Sequence, residues 1–249
     1  SLVEIGCLNK KDMGSLTIDD PYEILEINDR VQLARAESIM RQRIRDRWMR
    51  DGVTIIDPLS TFIDHDVSLS QDIVILPNTS LKGYTRIGRE CTIGPGSFIQ
   101  DSIVGDRCQV RLSVIEESIL ERDVIIGPFS HLRPGSYAEP EVHIGNFAEI
   151  KESRLAKGVK MGHFGYIGDA TVGSNTNIGA GVVTCNFDGN TKHPTEIGRE
   201  ALIGADTMLI APVKIGHRAA TGAGTVVTND VPSYRLAVGV PATIREKSH

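Results

Sequence analysis

His163 is the residue of this chain with the clearest chemical potential, standing in the glycine-rich string K-M-G-H-F-G-Y-I-G-D. An imidazole with an ordinary pKa of about 6.5 suits proton removal from an attacking amine at neutral pH. The competing reading is a histidine packed on a face of the scaffold. Arg133, in G-P-F-S-H-L-R-P-G, lies 30 residues upstream, and Lys151, in G-N-F-A-E-I-K, lies 12 upstream. With Tyr166 and Lys192 they are candidates to converge on a phosphate. Arginine offers a fork matched to phosphate oxygens, and lysine a compact point charge. Taken singly, each reads as a solvated surface residue; their value lies in clustering around His163.

A metal centre would want two or three histidines at helical or strand spacing with carboxylate support. His65, His131, His143, His163, His193, His217 and His249 contain no H-x-x-x-x-H pair. Cys7, Cys91, Cys108 and Cys185 are scattered, with no C-x-x-C, and read as reduced thiols of a cytoplasmic protein. The net charge of −5 argues against a nucleic-acid partner. No run approaches the roughly 20 apolar residues of a membrane span, and the first residues lack a signal-peptide pattern.

Two textures divide the chain. In residues 1–52, Asn28 or Asp29 can cap a helix starting near Arg30. Leu33, Ala36, Met40, Ile44 and Trp48 recur at three or four residues and build one apolar stripe. Arg35, Arg41, Arg43, Arg45, Arg47 and Arg50 crowd its other faces and read as a solvated surface beside an acidic neighbour. Gly52 is the expected stop.

Residues 53–249 carry aliphatic–glycine pairs at Ile87-Gly88, Ile93-Gly94, Val104-Gly105, Ile126-Gly127, Ile144-Gly145 and Ile167-Gly168. They continue at Val172-Gly173, Ile178-Gly179, Ile197-Gly198, Ile203-Gly204 and Ile215-Gly216. Most steps fall on or beside a multiple of six, which predicts a β-helix of hexapeptide repeats. Each hexapeptide supplies a strand and a turn, the aliphatic residue pointing inward and the glycine meeting a positive φ at the corner. About ten turns fit at roughly 18 residues each. Two intervals break the cadence. One, G-V-V-T-C-N-F-D-G-N-T-K-H-P-T-E, reads as a loop turning at Asp188-Gly189-Asn190. The other, Gly145 to Ile167, holds Glu149, Lys151, His163 and Tyr166.

Four strings taken together identify a family: G-P-F-S-H-L-R-P-G, H-I-G-N-F-A-E-I-K, G-H-F-G-Y-I-G-D-A and N-I-G-A-G-V-V-T-C-N-F-D-G. From about residue 23 onward the chain resembles the acetyltransferase half of the bacterial bifunctional N-acetylglucosamine-1-phosphate uridyltransferase/glucosamine-1-phosphate acetyltransferases. The resemblance implies a left-handed parallel β-helix with an N-terminal helical arm. It also implies a cytoplasmic homotrimer with active sites between subunits. By that resemblance, His163 is the base that deprotonates the 2-amino group of glucosamine 1-phosphate, and Glu149 is the carboxylate that orients it. Arg133, Lys151, Tyr166 and Lys192 match positions that hold the sugar phosphate, and Asn177 one that reads the sugar. Ala180, Asn186, Phe187, Ala205 and Ala223 match positions lining acetyl-CoA, the co-substrate. No metal is implied for acetyl transfer.

Departures accompany the match. Phe187 and Ala205 stand where the family often has Tyr and Ser, and residues 236–241 lack an arginine found in some members, with Arg245 a substitute. Residues 1–52 resemble the end of the uridyltransferase half plus its linker helix. Asn28 matches a residue that helps bind Mg2+ there but cannot form that site alone, so no uridyltransferase activity is expected. Two other functional classes stand against the enzyme. One is a non-catalytic trimeric β-helix that binds sugar nucleotide or scaffolds. The other is a zinc-dependent β-helical carbonic anhydrase relative.

Overall fold

The computed structural model describes residues 17–246 together with Ile5, Leu8, Asn9 and Gly14; Cys7 and His249 lie outside the described residues. From Thr54 the chain winds through three sheets of 12, 10 and 9 strands. Each strand pairs in parallel with its equivalent one turn on. In the 12-stranded sheet, for example, Ile75, Ile93, Val110, Ile126, Ile144, Met161 and Ile178 are consecutive partners. All seven are at most 2% exposed. Burying each stabilises the coil by about 1.5–3 kcal/mol, and each does so only against its neighbours above and below. The parallel β-helix predicted from the hexapeptide cadence is the observed fold, with ten turns in the 10-stranded sheet. Its last strand, Thr243–Glu246, folds back antiparallel on Arg235–Val238.

The repeat glycines serve a purpose different from the expected one. Gly94 and Gly127 have positive φ, but most of the others do not. At Gly179 an added Cβ would lie 2.7 Å from the Ala205 nitrogen, and at Gly198 2.7 Å from the His217 nitrogen. These glycines admit the backbone of the next turn at a corner. The left-handed residue falls two positions later, at Gly181 and Glu200.

The interval Gly145–Ile167 is also regular rather than broken. Its strands Ala148–Lys151, Arg154–Leu155 and Lys160–Met161 are in register on both sides. Ile150, Leu155 and Met161 keep the inward positions; only the aliphatic–glycine spelling has changed. The loop after Cys185 does leave the coil, closing on itself through an antiparallel bridge between Phe187 and Lys192.

The helix runs Arg30–Arg50. Asp29 caps it, its Oδ1 accepting the Gln32 N–H at 2.7 Å. Gly52 ends it with φ +97° and an N–H donated to the Met49 carbonyl. Compact units divide inside this helix, after Arg43. In the first unit Leu33 and Met40 are exposed, and Arg43 pairs with Asp20. In the second, Ile44 and Trp48 pack on the solenoid core. The solvated-surface reading fails for Arg45, which is 8% exposed and donates to the Thr61 carbonyl at 3.4 Å. Cys91, Cys108 and Cys185 are free thiols. Among the described residues no helix is long and apolar enough to cross a membrane.

Candidate functional site

Side chains along the 10-stranded sheet alternate inward and outward. Ile150 and Ile167 are buried, whereas Glu149, Lys151 and Tyr166 point out and are half-buried. Register places His131, Glu149, Tyr166 and Val183 on successive turns of one outward column. Lys151 and Gly168 are partners in the next column. Residues 16 to 18 apart in sequence are thereby neighbours across the sheet surface.

Arg133 and Glu149 form an ion pair on this face, Nη1 to Oε1 at 2.8 Å. Both side chains are 41% exposed. The pair raises the Arg133 guanidinium above its usual value, with the Glu149 hydrogen bond as the main cause. Tyr166 lies across Gly168, where an added Cβ would collide with the phenol oxygen; the glycine is what lets the ring lie flat. Asn186, 8% exposed, donates its amide to Asp169 and, at 3.4 Å, to the Tyr166 oxygen. Thr184 fixes the neighbouring backbone, accepting the Gly168 N–H at 2.8 Å and donating to its carbonyl at 3.0 Å.

Lys192 reaches this surface from the loop. The facing Lys192 ammonium pushes Lys151 below the ordinary lysine value, with desolvation adding to it. Lys192 is held above its ordinary value, first by Lys151, which gives up its proton earlier and can then accept from it as a neutral amine, and then by Asp169. Two ammoniums facing each other beside a guanidinium are unfavourable in an empty site and favourable around an anion.

His163 occupies the exposed turn between Lys160–Met161 and Gly165–Gly168. Among the described residues its ring has no hydrogen bond, and Glu149 is tied to Arg133 instead. Counting back from the pairs Ala148–Gly165, Gly165–Val182, Val183–Met208 and Met208–Val226 aligns five residues on successive turns. They are Asn146, His163, Ala180, Ala205 and Ala223. Backbone bonds confirm the alignment, the Asp206 N–H donating to the Ala180 carbonyl and the Gly224 N–H to the Ala205 carbonyl. A histidine thus stands between an asparagine and three alanines in one column along a corner of the coil.

The remaining sequence candidates lie elsewhere. Asn177 is exposed on the 12-stranded sheet, between partners Lys160 and Leu202. Phe187 is 60% exposed in the loop. Asn28 is exposed before the helix, its N–H donated to Gln32. No group of three His, Cys, Asp or Glu among the described residues is arranged to hold a metal ion. The sequence reading missed Asp169, Thr184 and Gly168. Only register, which brings successive turns together, reveals them.

A family described as the hexapeptide repeat of succinyl-transferase matches residues 194–229. The bifunctional protein GlmU of Shouchella clausii is 46% identical over 94% of this chain and 52% of its own length. That of Fervidobacterium nodosum is 48% identical over 90% of this chain and 50% of its own. The solved UDP-N-acetylglucosamine acyltransferase of Francisella novicida is 16% identical, covers 78% of this chain and 70% of its own, and has a TM-score of 0.49. That likeness is too weak to bear on function. At this level of identity along nine-tenths of its sequence the chain is similar to one half of these GlmU proteins, spanning about half the length of the curated relatives it matches.

Proposed function

We propose that the chain transfers the acetyl group of acetyl-CoA to the 2-amino group of glucosamine 1-phosphate in the cytoplasm, supplying N-acetylglucosamine 1-phosphate for UDP-N-acetylglucosamine and cell-envelope synthesis. The observation that carries this reading is the convergence of Arg133, Lys151, Tyr166 and Lys192 on one surface, with the His163–Ala180–Ala205–Ala223 column beside it. The basic group holds the phosphate; the column of small residues receives the acetyl-CoA arm, and Asn186 and Phe187, beyond the other end of strand Val182–Cys185, are further contacts for the coenzyme. His163 takes a proton from the substrate amine as its nitrogen attacks the thioester carbonyl. Backbone N–H groups along the column stabilise the oxyanion. Collapse expels CoA thiolate, which receives the proton from His163. The balance is amine plus thioester to amide plus thiol, and no metal takes part.

Glu149 and Asn177 complete the site in an assembly of three chains. Assembly is supported by an exposed apolar corner comprising Leu112, Phe129, Phe147 and Phe164, which are 38–63% exposed. Phe129 and Phe147 stack with ring centroids 5.2 Å apart. Both have left-handed backbones, φ 60° and 56°, as does Leu112 at 44°, so these side chains project from equivalent corner positions. Release of free CoA with glucosamine 1-phosphate as acceptor tests the activity, and near-normal turnover in His163→Ala overturns the assignment. Light scattering tests the trimer.

A further inference from the structure

The loop Asn186–His193 is mostly exposed, yet it is closely tied together. Asp188 is its hub. Its Oδ1 accepts the N–H of Asn190 at 2.7 Å and of Thr191 at 2.8 Å. Its Oδ2 meets the Thr191 hydroxyl at 3.3 Å and His193 Nε2 at 2.7 Å. The Asp188 N–H donates to the Thr191 carbonyl at 3.2 Å, and the His193 N–H to the Asn186 carbonyl at 2.7 Å. One carboxylate therefore gathers both arms of the loop.

The product of this arrangement is electrostatically awkward. Lys192, bridged to Phe187, is brought to Lys151 against like-charge repulsion. An exposed segment free to move would swing the two ammoniums apart and gain conformational entropy as well. Something must hold the lysine in place. We propose that Asp188 is a positioning residue for the sugar-phosphate site, folding the Asn186–His193 loop so that Lys192 already faces Lys151 before an anion arrives. This rests on the acetyltransferase reading for its substrate, although the clamp itself does not. The Thr191 N–H and then His193 hold the Asp188 carboxyl far below the usual carboxylate range, so the clamp is ionised at neutral pH. The rigid loop lowers the ordering cost of binding.

Two measurements on the full chain decide it. In the first, lysines are competitively labelled with acetic anhydride across pH and read by mass spectrometry. Wild-type Lys151 labels at lower pH than an ordinary exposed lysine, and Asp188→Ala moves its profile upward; an unmoved profile overturns the proposal. The second is kinetic. Asp188→Ala raises the KM for glucosamine 1-phosphate about tenfold, the scale of one charge-assisted hydrogen bond. The kcat and the KM for acetyl-CoA stay within about twofold. Asp188→Asn keeps an acceptor for the Asn190 and Thr191 N–H groups and restores most of the loss. In a Lys192→Ala background Asp188→Ala adds nothing further; additive losses, or an equal fall in kcat, overturn the proposal. If the wild type fails to acetylate glucosamine 1-phosphate, the functional reading falls, and the labelling result alone decides the clamp.

Discussion

Two columns run side by side along the same strands of the 10-stranded sheet, one inward and one outward. The inward column, Ile99, Ile115, Leu132, Ile150, Ile167, Thr184, Leu209 and Val227, is at most 1% exposed. It is aliphatic everywhere except Thr184, whose hydroxyl is satisfied by Gly168. The outward column, Phe98, Val114, His131, Glu149, Tyr166, Val183, Met208 and Val226, changes chemistry from turn to turn. Its polar stretch coincides with the candidate site. Adjacent residues of one strand thus carry separate tasks, because a two-residue period sends them to environments that barely communicate. The scaffold tolerates any outward chemistry as long as the inward column stays filled.

That division predicts how substitutions sort. The largest effect on activity falls on His163→Ala, which lowers CoA release about 10²–10⁴-fold while leaving the melting temperature unchanged; a fall in melting temperature of similar consequence would erase the separation. Its counterpart is Ile150→Ala, one residue from Glu149. It costs roughly 2–5 kcal/mol of stability through lost burial and a cavity, seen as a lower urea midpoint with KM values unchanged in the folded fraction. Gly168→Ala sits on the boundary. Its Cβ collides with the Tyr166 phenol, so the KM for the sugar phosphate rises by roughly tenfold with little change in stability.

The smallest effect is a pH dependence. Lys151 binds phosphate when protonated, and its lowered value makes it lose that proton earlier than an ordinary lysine. The KM for the sugar phosphate therefore climbs as pH rises through that lowered value. In Lys192→Met, with the repulsion removed, the climb moves to higher pH. As for stability, a lysine depressed in the folded state opposes folding while it is charged, so this strain is relieved as pH rises.

Much of this was legible in the residues, though sometimes for a different reason than expected. The aliphatic cadence predicted the coil, but its glycines answer to the close approach of the next turn at positions such as Gly179 and Gly198. The spelling changed at Lys151 and Ala156, which replace the glycine, and at Met161, which replaces the branched residue before it, and this made a regular turn look broken. The stripe from Leu33 to Trp48 predicted a helix, but not that its last turns, through Ile44 and Trp48, would pack on the core of the coil. Asp188-Gly189-Asn190 was readable as a turn. Its grip on His193 was not, since that contact closes a loop.

The sequence alone determined which residues point inward, because burial imposes a period that a linear string displays, and four short strings carried the resemblance. The tertiary structure decided which outward residues meet. Winding brings Arg133 to Glu149 and aligns His163 with Ala180, and one carboxylate sets Lys192 opposite Lys151. Contacts between turns depend on register, and register is fixed by the sum of every turn and loop between them.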